Sequence, residues 1–202
     1  MTSFMDSIKT EAKKYGGGGS NSDFFQFGKT KQTYRMRILA EPKVIAFHFF
    51  GEGQKPDVCT GIDEGCPHHK EGDKKPSIKL ATYVIDRADG KVKLAELPLS
   101  ISYSLNDLQE DSDYAFSEFP MPYDVKIVHD PENPDPKAKY RLVNAPSSDI
   151  TGDEGKAFDD AMAKMTPEQY VQIRKDKQGT VSSEQPSDEG YDYPEFAGEP
   201  TI

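Results

Sequence analysis

The sequence predicts a mainly β fold: a small β-barrel of five or six short strands with one inserted helix. Three observations carry this. Between Phe24 and about Pro146, short runs alternate apolar and polar residues, as strands with two unlike faces do. An Asp89-Gly90 turn signal lies between two such runs. Within that region only Leu99 to Leu108, with Ile101, Leu105 and Leu108, keeps helical spacing.

Residues 4–15 place Phe4, Met5, Ile8, Ala12 and Tyr15 at near-helical intervals, which predicts a short amphipathic N-terminal helix. Gly16-Gly17-Gly18-Gly19-Ser20 is too flexible to pack and reads as a linker. The first full strand is Tyr34 to Leu39, with Tyr34, Met36 and Ile38 on one face and Arg35 and Arg37 on the other. Val44 to Phe50 is a second β-rich run beyond Glu41-Pro42-Lys43. Ile78 to Asp86 and Lys91 to Leu97 flank the Arg87-Ala88-Asp89-Gly90 turn and predict a hairpin. Tyr123 to His129 and Lys139 to Val143 predict a second hairpin around the Pro-rich loop 130–138. Among small barrels the OB type is the favoured member, although strand count alone does not fix topology. Residues 154–176 read as helical, with a fresh start at Thr166-Pro167-Glu168. From Gln178 onward Ser, Glu, Asp, Gly and Pro dominate, and no packed structure is expected. The expected units are therefore residues 1–20, a core at 21–150, a helical segment at 151–177 and an acidic tail at 178–202.

Charge excludes some functions. The chain carries 25 Lys plus Arg against 35 Asp plus Glu, a net charge of −10, so no basic surface extends over the whole molecule. Residues 151–202 alone contribute −7, and after Lys177 six acidic residues follow without a cation. No run approaches the ~18 apolar residues of a membrane span, and the N-terminus lacks the apolar stretch of a secretory signal.

Both cysteines and three of the four histidines fall between His48 and His69. Cys66-x2-His69 has the spacing of a metal knuckle. His48, Cys59, Cys66 and His69 together make a four-ligand zinc set of structural type, with His68 as an alternative to His69. A Cys59–Cys66 disulfide, free thiols and an ordinary surface His pair are the competing readings. A disulfide is disfavoured without an export signal. A catalytic deaminase-type zinc is disfavoured because His48 is followed by Phe49-Phe50 and no Pro precedes Cys66.

Aromatic residues and cations interleave on the predicted strands. Unpaired bases offer a π-face and a phosphate at each step, so a groove for them needs flat rings and cations. The residues expected to form it are Arg35, Arg37, Phe47, Phe49, Lys79, Tyr83, Arg87, Lys91, Lys93, Tyr103, Lys126 and Arg141. The bland alternative makes the rings core and the cations solvated. Walker, dinucleotide-binding and nucleophile-elbow motifs are all absent, so no enzyme chemistry is expected.

The order of Asp23-Phe24-Phe25-Gln26-Phe27, Tyr34-Arg35-Met36-Arg37-Ile38-Leu39, the His48–His69 cluster, the Tyr83–Lys93 segment and Tyr123-Asp124-Val125-Lys126-Ile127 resembles the single-stranded DNA-binding proteins of tailed phages. The likeness covers roughly residues 21–146, and Ile85-Asp86-Arg87-Ala88-Asp89-Gly90-Lys91-Val92-Lys93 is its most specific part. It implies an OB-fold core that coats single strands during phage DNA replication, recombination and repair, in the cytoplasm of an infected bacterial host. It also implies zinc in some members and an acidic tail that binds replication proteins such as a polymerase or helicase. Where members carry Cys-Pro-x-Cys, this chain has Cys66-Pro67-His68-His69. The alternative from another class is a zinc-stapled interaction adaptor of a replication or transcription complex, with its rings in the core.

Overall fold

A computed structural model of the chain describes residues 23–50, 56–61, 66–69, 75–146 and 148–179. The expected N-terminal helix and Gly-rich linker, and the tail beyond residue 179, lie outside the described residues.

The fold is mainly β. Eight strands form one mixed sheet: β1 (Phe24–Phe25), β2 (Gln32–Ile38), β3 (Lys43–His48), β4 (Asp57–Val58), β5 (Ser77–Asp86), β6 (Lys91–Pro98), β7 (Val125–His129) and β8 (Tyr140–Asn144). Among the described residues three α-helices accompany it: α1 (Leu99–Glu110), α2 (Gly152–Lys164) and α3 (Pro167–Gly179). The hydrogen-bonded order is β1-β6-β5-β2-β7-β8, with β3 beside β5 and β4 on β3. All pairs are antiparallel except β1 with β6. No ladder joins β1 to β8, so the sheet is open along that seam and not closed into a ring.

The expected β5–β6 hairpin turns at Gly90, whose φ of 69° is the left-handed conformation that glycine adopts at little cost. β2 and β3 run end to end along one flank of β5, facing Val84–Asp86 and Ser77–Ala81 respectively. Residues 39–42 bulge between them, where Pro42 has no N–H to give to a ladder. Leu39 N–H still donates to the Tyr83 carbonyl (2.8 Å), and the Thr82 hydroxyl donates to that of Ala40 (2.6 Å).

The alternation read from β2 separates two cores. On the inner face Met36 and Ile38 pack with Leu80, Val84, Ala95, Leu97, Val125 and Ile127. The apolar stripe of α1, Ile101, Leu105 and Leu108, closes that side. On the outer face Leu39, Ile45, Phe47, Ala81, Tyr83, Ile85 and Leu94 are covered by Ile150, Phe158, Ala161, Met162, Met165, Tyr170 and Val171. The helical segment thus shares a core with the sheet. Its two helices start at reciprocal caps, Thr151 with Glu154 and Thr166 with Gln169. Rings fill the open seam. Phe27 lies edge-on to Phe25 of β1 (5.1 Å), Tyr34 of β2 (5.2 Å) and Tyr140 of β8 (5.0 Å).

Candidate functional site

Two constellations stand apart from ordinary core packing. The first is a Cys/His cluster at one end of the sheet that could hold a metal ion. β3 delivers His48, the chain leaving β4 delivers Cys59, and the next loop delivers Cys66 and His69. Their ligand atoms all lie within 4.8 Å of one another. Cys59 Sγ stands 2.9 Å from His69 Nε2, and Cys66 Sγ 3.5 Å from His48 Nε2. A tetrahedral zinc with ordinary bond lengths sets its ligands about 3.3–3.8 Å apart, so sub-ångström to ångström adjustments seat an ion here. His48, Cys59 and Cys66 are buried, a placement that suits a closed structural site. His68 is not part of it, because its Nε2 meets Asp57 Oδ2 at 3.1 Å. Both cysteines are free thiols and not a disulfide. Burial pushes the Cys59 thiol up. At Cys66 burial acts in the same sense, but backbone N–H groups of His68 and Thr60 outweigh it and bring that thiol down.

The second constellation is the outer face of the sheet, and it divides in two. The half formed by β3, β5 and β6 lies under α2 and α3. Phe47 is only 1% exposed there, with Lys79 Nζ 5.1 Å and Arg174 Cζ 5.5 Å from its ring centroid. Tyr83 is buried as well, and its hydroxyl donates to the Met165 carbonyl (2.8 Å). Neither ring has a face left for a base, which corrects the expectation that they line an open groove. Lys79 pairs with Glu96 at 3.2 Å.

Arg37 is a further correction. It is buried, donating through Nε to Asp124 (2.9 Å), through Nη1 to the Met121 carbonyl (3.0 Å) and through Nη2 to the Ser148 carbonyl. Asp124 is the hub of a network. Fully buried, it also accepts from Arg35 Nε (2.9 Å), from Arg87 Nη2 (3.1 Å) and from the Ser148 hydroxyl (2.7 Å). Arg87 completes the set with Glu154 of α2 at 2.7 Å. Burial alone would raise the Asp124 carboxyl, but Ser148, Arg87 and Arg37 hold it below the usual carboxylate range.

The other half of the outer face, on β2, β7 and β8, has no helix over it among the described residues. The register sets Arg35 beside Lys126 and Val143 in one row, and Thr33 beside Val128 and Arg141 in the next. Arg35 is partly exposed and Arg141 exposed. Lys126 and Arg141 make no ion pair among the described residues. Arg35 stands opposite Lys126 across the ladder, but its guanidinium is already paired with Asp124.

The remaining expected contacts scatter. Lys91 and Lys93 project to the inner side with Asp86 and Val84, and Lys93 is bound by Asp86 (2.7 Å) and Asp89 (2.8 Å). Tyr103 is exposed on α1, across the sheet from the outer face. Phe49 is exposed just beyond His48, where β3 ends, as is Phe50, which the expected DNA contacts left out although its ring lies near that of His48. Asp124 had no local signal, since the arginines it binds lie 37 to 89 residues away. No described helix is long and apolar enough to cross a membrane. Comparison with family models, with curated proteins and with solved structures finds no match.

Proposed function

We propose that this protein binds single-stranded DNA without sequence preference, as a non-enzymatic coat of the kind tailed phages use in replication, recombination and repair. The observation that carries the reading is the half of the outer face that no described helix covers, where Arg35, Lys126 and Arg141 stand together on β2, β7 and β8, the last two with no acidic partner among the described residues. Such a row offers a polyanion its phosphate contacts. The strand order also supports it. With β2 and β3 counted as one bulged strand, a meander of three strands, a helix, and a hairpin whose first strand returns to strand one is compatible with OB-type connectivity in an open sheet. The single unclosed pairing is the ring-filled seam. In this reading the acidic tail meets replication proteins, and the protein works in the cytoplasm of the infected host.

Zinc is the ion we assign to His48, Cys59, Cys66 and His69, because two thiolates and two imidazoles in a closed site suit it best. It would staple the segment between β4 and β5 to the end of β3.

Anisotropy titrations with an oligo-dT and with duplex DNA at rising salt test the function. Preference for the single strand and a steep fall with salt are expected. Equal affinity for both, or a flat salt response, refutes it. The burial of Phe47 and Tyr83 favours one second reading, the zinc-stapled adaptor, which binds neither oligomer.

A further inference from the structure

We infer that Phe49 and Phe50 form a base-stacking platform at the metal end of the sheet, with cations supplied by β5 and α3; this rests on the single-strand reading above. The two residues follow His48, where β3 ends. Phe47, two positions earlier, is core. Phe49 and Phe50 are 40% and 46% exposed, although any polar residue would serve a chain leaving a strand.

Neither ring hangs loose. Phe49 leans on Phe47 (6.4 Å between centroids, 48° between planes). Phe50 lies near-parallel to His48 (6.4 Å, 23°) and tilts against His68 (4.7 Å). His68 is itself tied to Asp57, and His48 belongs to the metal cluster. Each phenyl group therefore has one edge or face backed by a fixed ring and further surface turned to solvent. A stacking surface has to be held in this way before the base arrives.

Charge decides what such rings would meet. Lys79 and Arg174 bracket Phe47, the ring on which Phe49 leans, and Lys175 of α3 reaches the Thr60 carbonyl at 3.4 Å on the metal loop. Among the described residues, Glu96 takes Lys79 and the Tyr170 hydroxyl, and Asp57 takes His68, so a phosphate here would share these cations with their carboxylates. An apolar protein partner has no need of cations at this spot, whereas a strand of unpaired nucleotides needs rings and cations side by side. α3 thus supplies cations to the platform, besides covering the outer face.

The test compares Phe49→Ala and Phe50→Ala with the unaltered full chain, by anisotropy on an oligo-dT and on an abasic oligomer of equal length and charge. Each substitution is expected to weaken dT binding roughly 5- to 150-fold. Affinity for the abasic oligomer should stay unchanged, and Phe50→Tyr should restore dT binding. A second measurement stands even if a variant folds poorly: photocrosslinking of the unaltered chain to an iodouracil-substituted oligomer should label the peptide holding Phe49 and Phe50. Equal losses on both oligomers, or label only elsewhere, overturn the platform while leaving the single-strand reading intact. An unaltered chain that binds neither oligomer overturns both.

Discussion

Asp124→Asn isolates the most concentrated electrostatic feature of the fold. The substitution keeps the side chain's shape and an oxygen for the Ser148 hydroxyl, but removes the one charge shared by Arg35, Arg37 and Arg87. Arg35 loses little, being partly in water. Arg37 is 4% exposed and among the described residues has the Met121 and Ser148 carbonyls besides Asp124, so its charge is left buried without a counter-charge. Removing one member of a buried ionic cluster costs about 3–5 kcal/mol. At about 2–4 °C per kcal/mol for a chain of this size, the melting temperature should drop by roughly 6–20 °C. Urea unfolding followed by circular dichroism measures the loss, and the m-value should not change. In a double-mutant cycle, Arg37→Met should recover part of it, giving a coupling of about 1–3 kcal/mol. A loss under about 1 kcal/mol, or strict additivity with Arg37→Met, would show that Asp124 is not what neutralises the cluster.

Acid should destabilise the protein in two stages. Burial holds the His129 imidazole below its ordinary value, so its contribution is present above about pH 6.5 and fades as pH falls through the lower folded value; His129→Phe should remove that limb from a plot of stability against pH. Asp124 and Glu154 are also depressed, so their contribution is full above about pH 4 and is lost only at lower pH, where urea midpoints should fall again. Lys126→Ala with Arg141→Ala should reduce the slope of log K against log[salt] for oligo-dT by about 1.4, near 0.7 for each lost phosphate contact, and an unchanged slope would remove them from the binding face. Elemental analysis should find close to one zinc per chain, and chelation should lower the melting temperature and open Cys59 and Cys66 to thiol reagents. Metal-free protein of unchanged stability would reduce the cluster to coincidence.

Local physics made much of the fold legible. The alternation in β2 sorted Tyr34, Met36 and Ile38 from Arg35 and Arg37, and the Asp-Gly pair marked the β5–β6 turn. The spacing of Ile101, Leu105 and Leu108 located α1. What stayed hidden depends on distant partners. A period of two separates the faces of a strand but does not say which one another element covers. Arg37 and Arg35 therefore read alike, and it is the approach of Asp124, Pro146 and Ser148 that buries the first while leaving the second half in water. Phe47 and Tyr83 were misplaced for the same reason, since their cover comes from α2 and α3. The two-residue strands β1 and β4 are too short to show any period. The choice between His68 and His69 was equally beyond spacing, and Asp57 decides it by claiming His68.

The covering of the outer face by α2 and α3 has a consequence for how the chain is made. Synthesis runs from N- to C-terminus, so Ile45, Phe47, Tyr83 and Leu94 all leave the ribosome before residues 152–179, which will lie over them. During that interval the nascent sheet presents a bare apolar surface, the kind that draws unfinished chains into aggregates or onto chaperones. The same exposure would be permanent in any product ending near residue 150. Limited proteolysis or premature termination at that point should leave an insoluble fragment, although every long strand of the sheet is present in it.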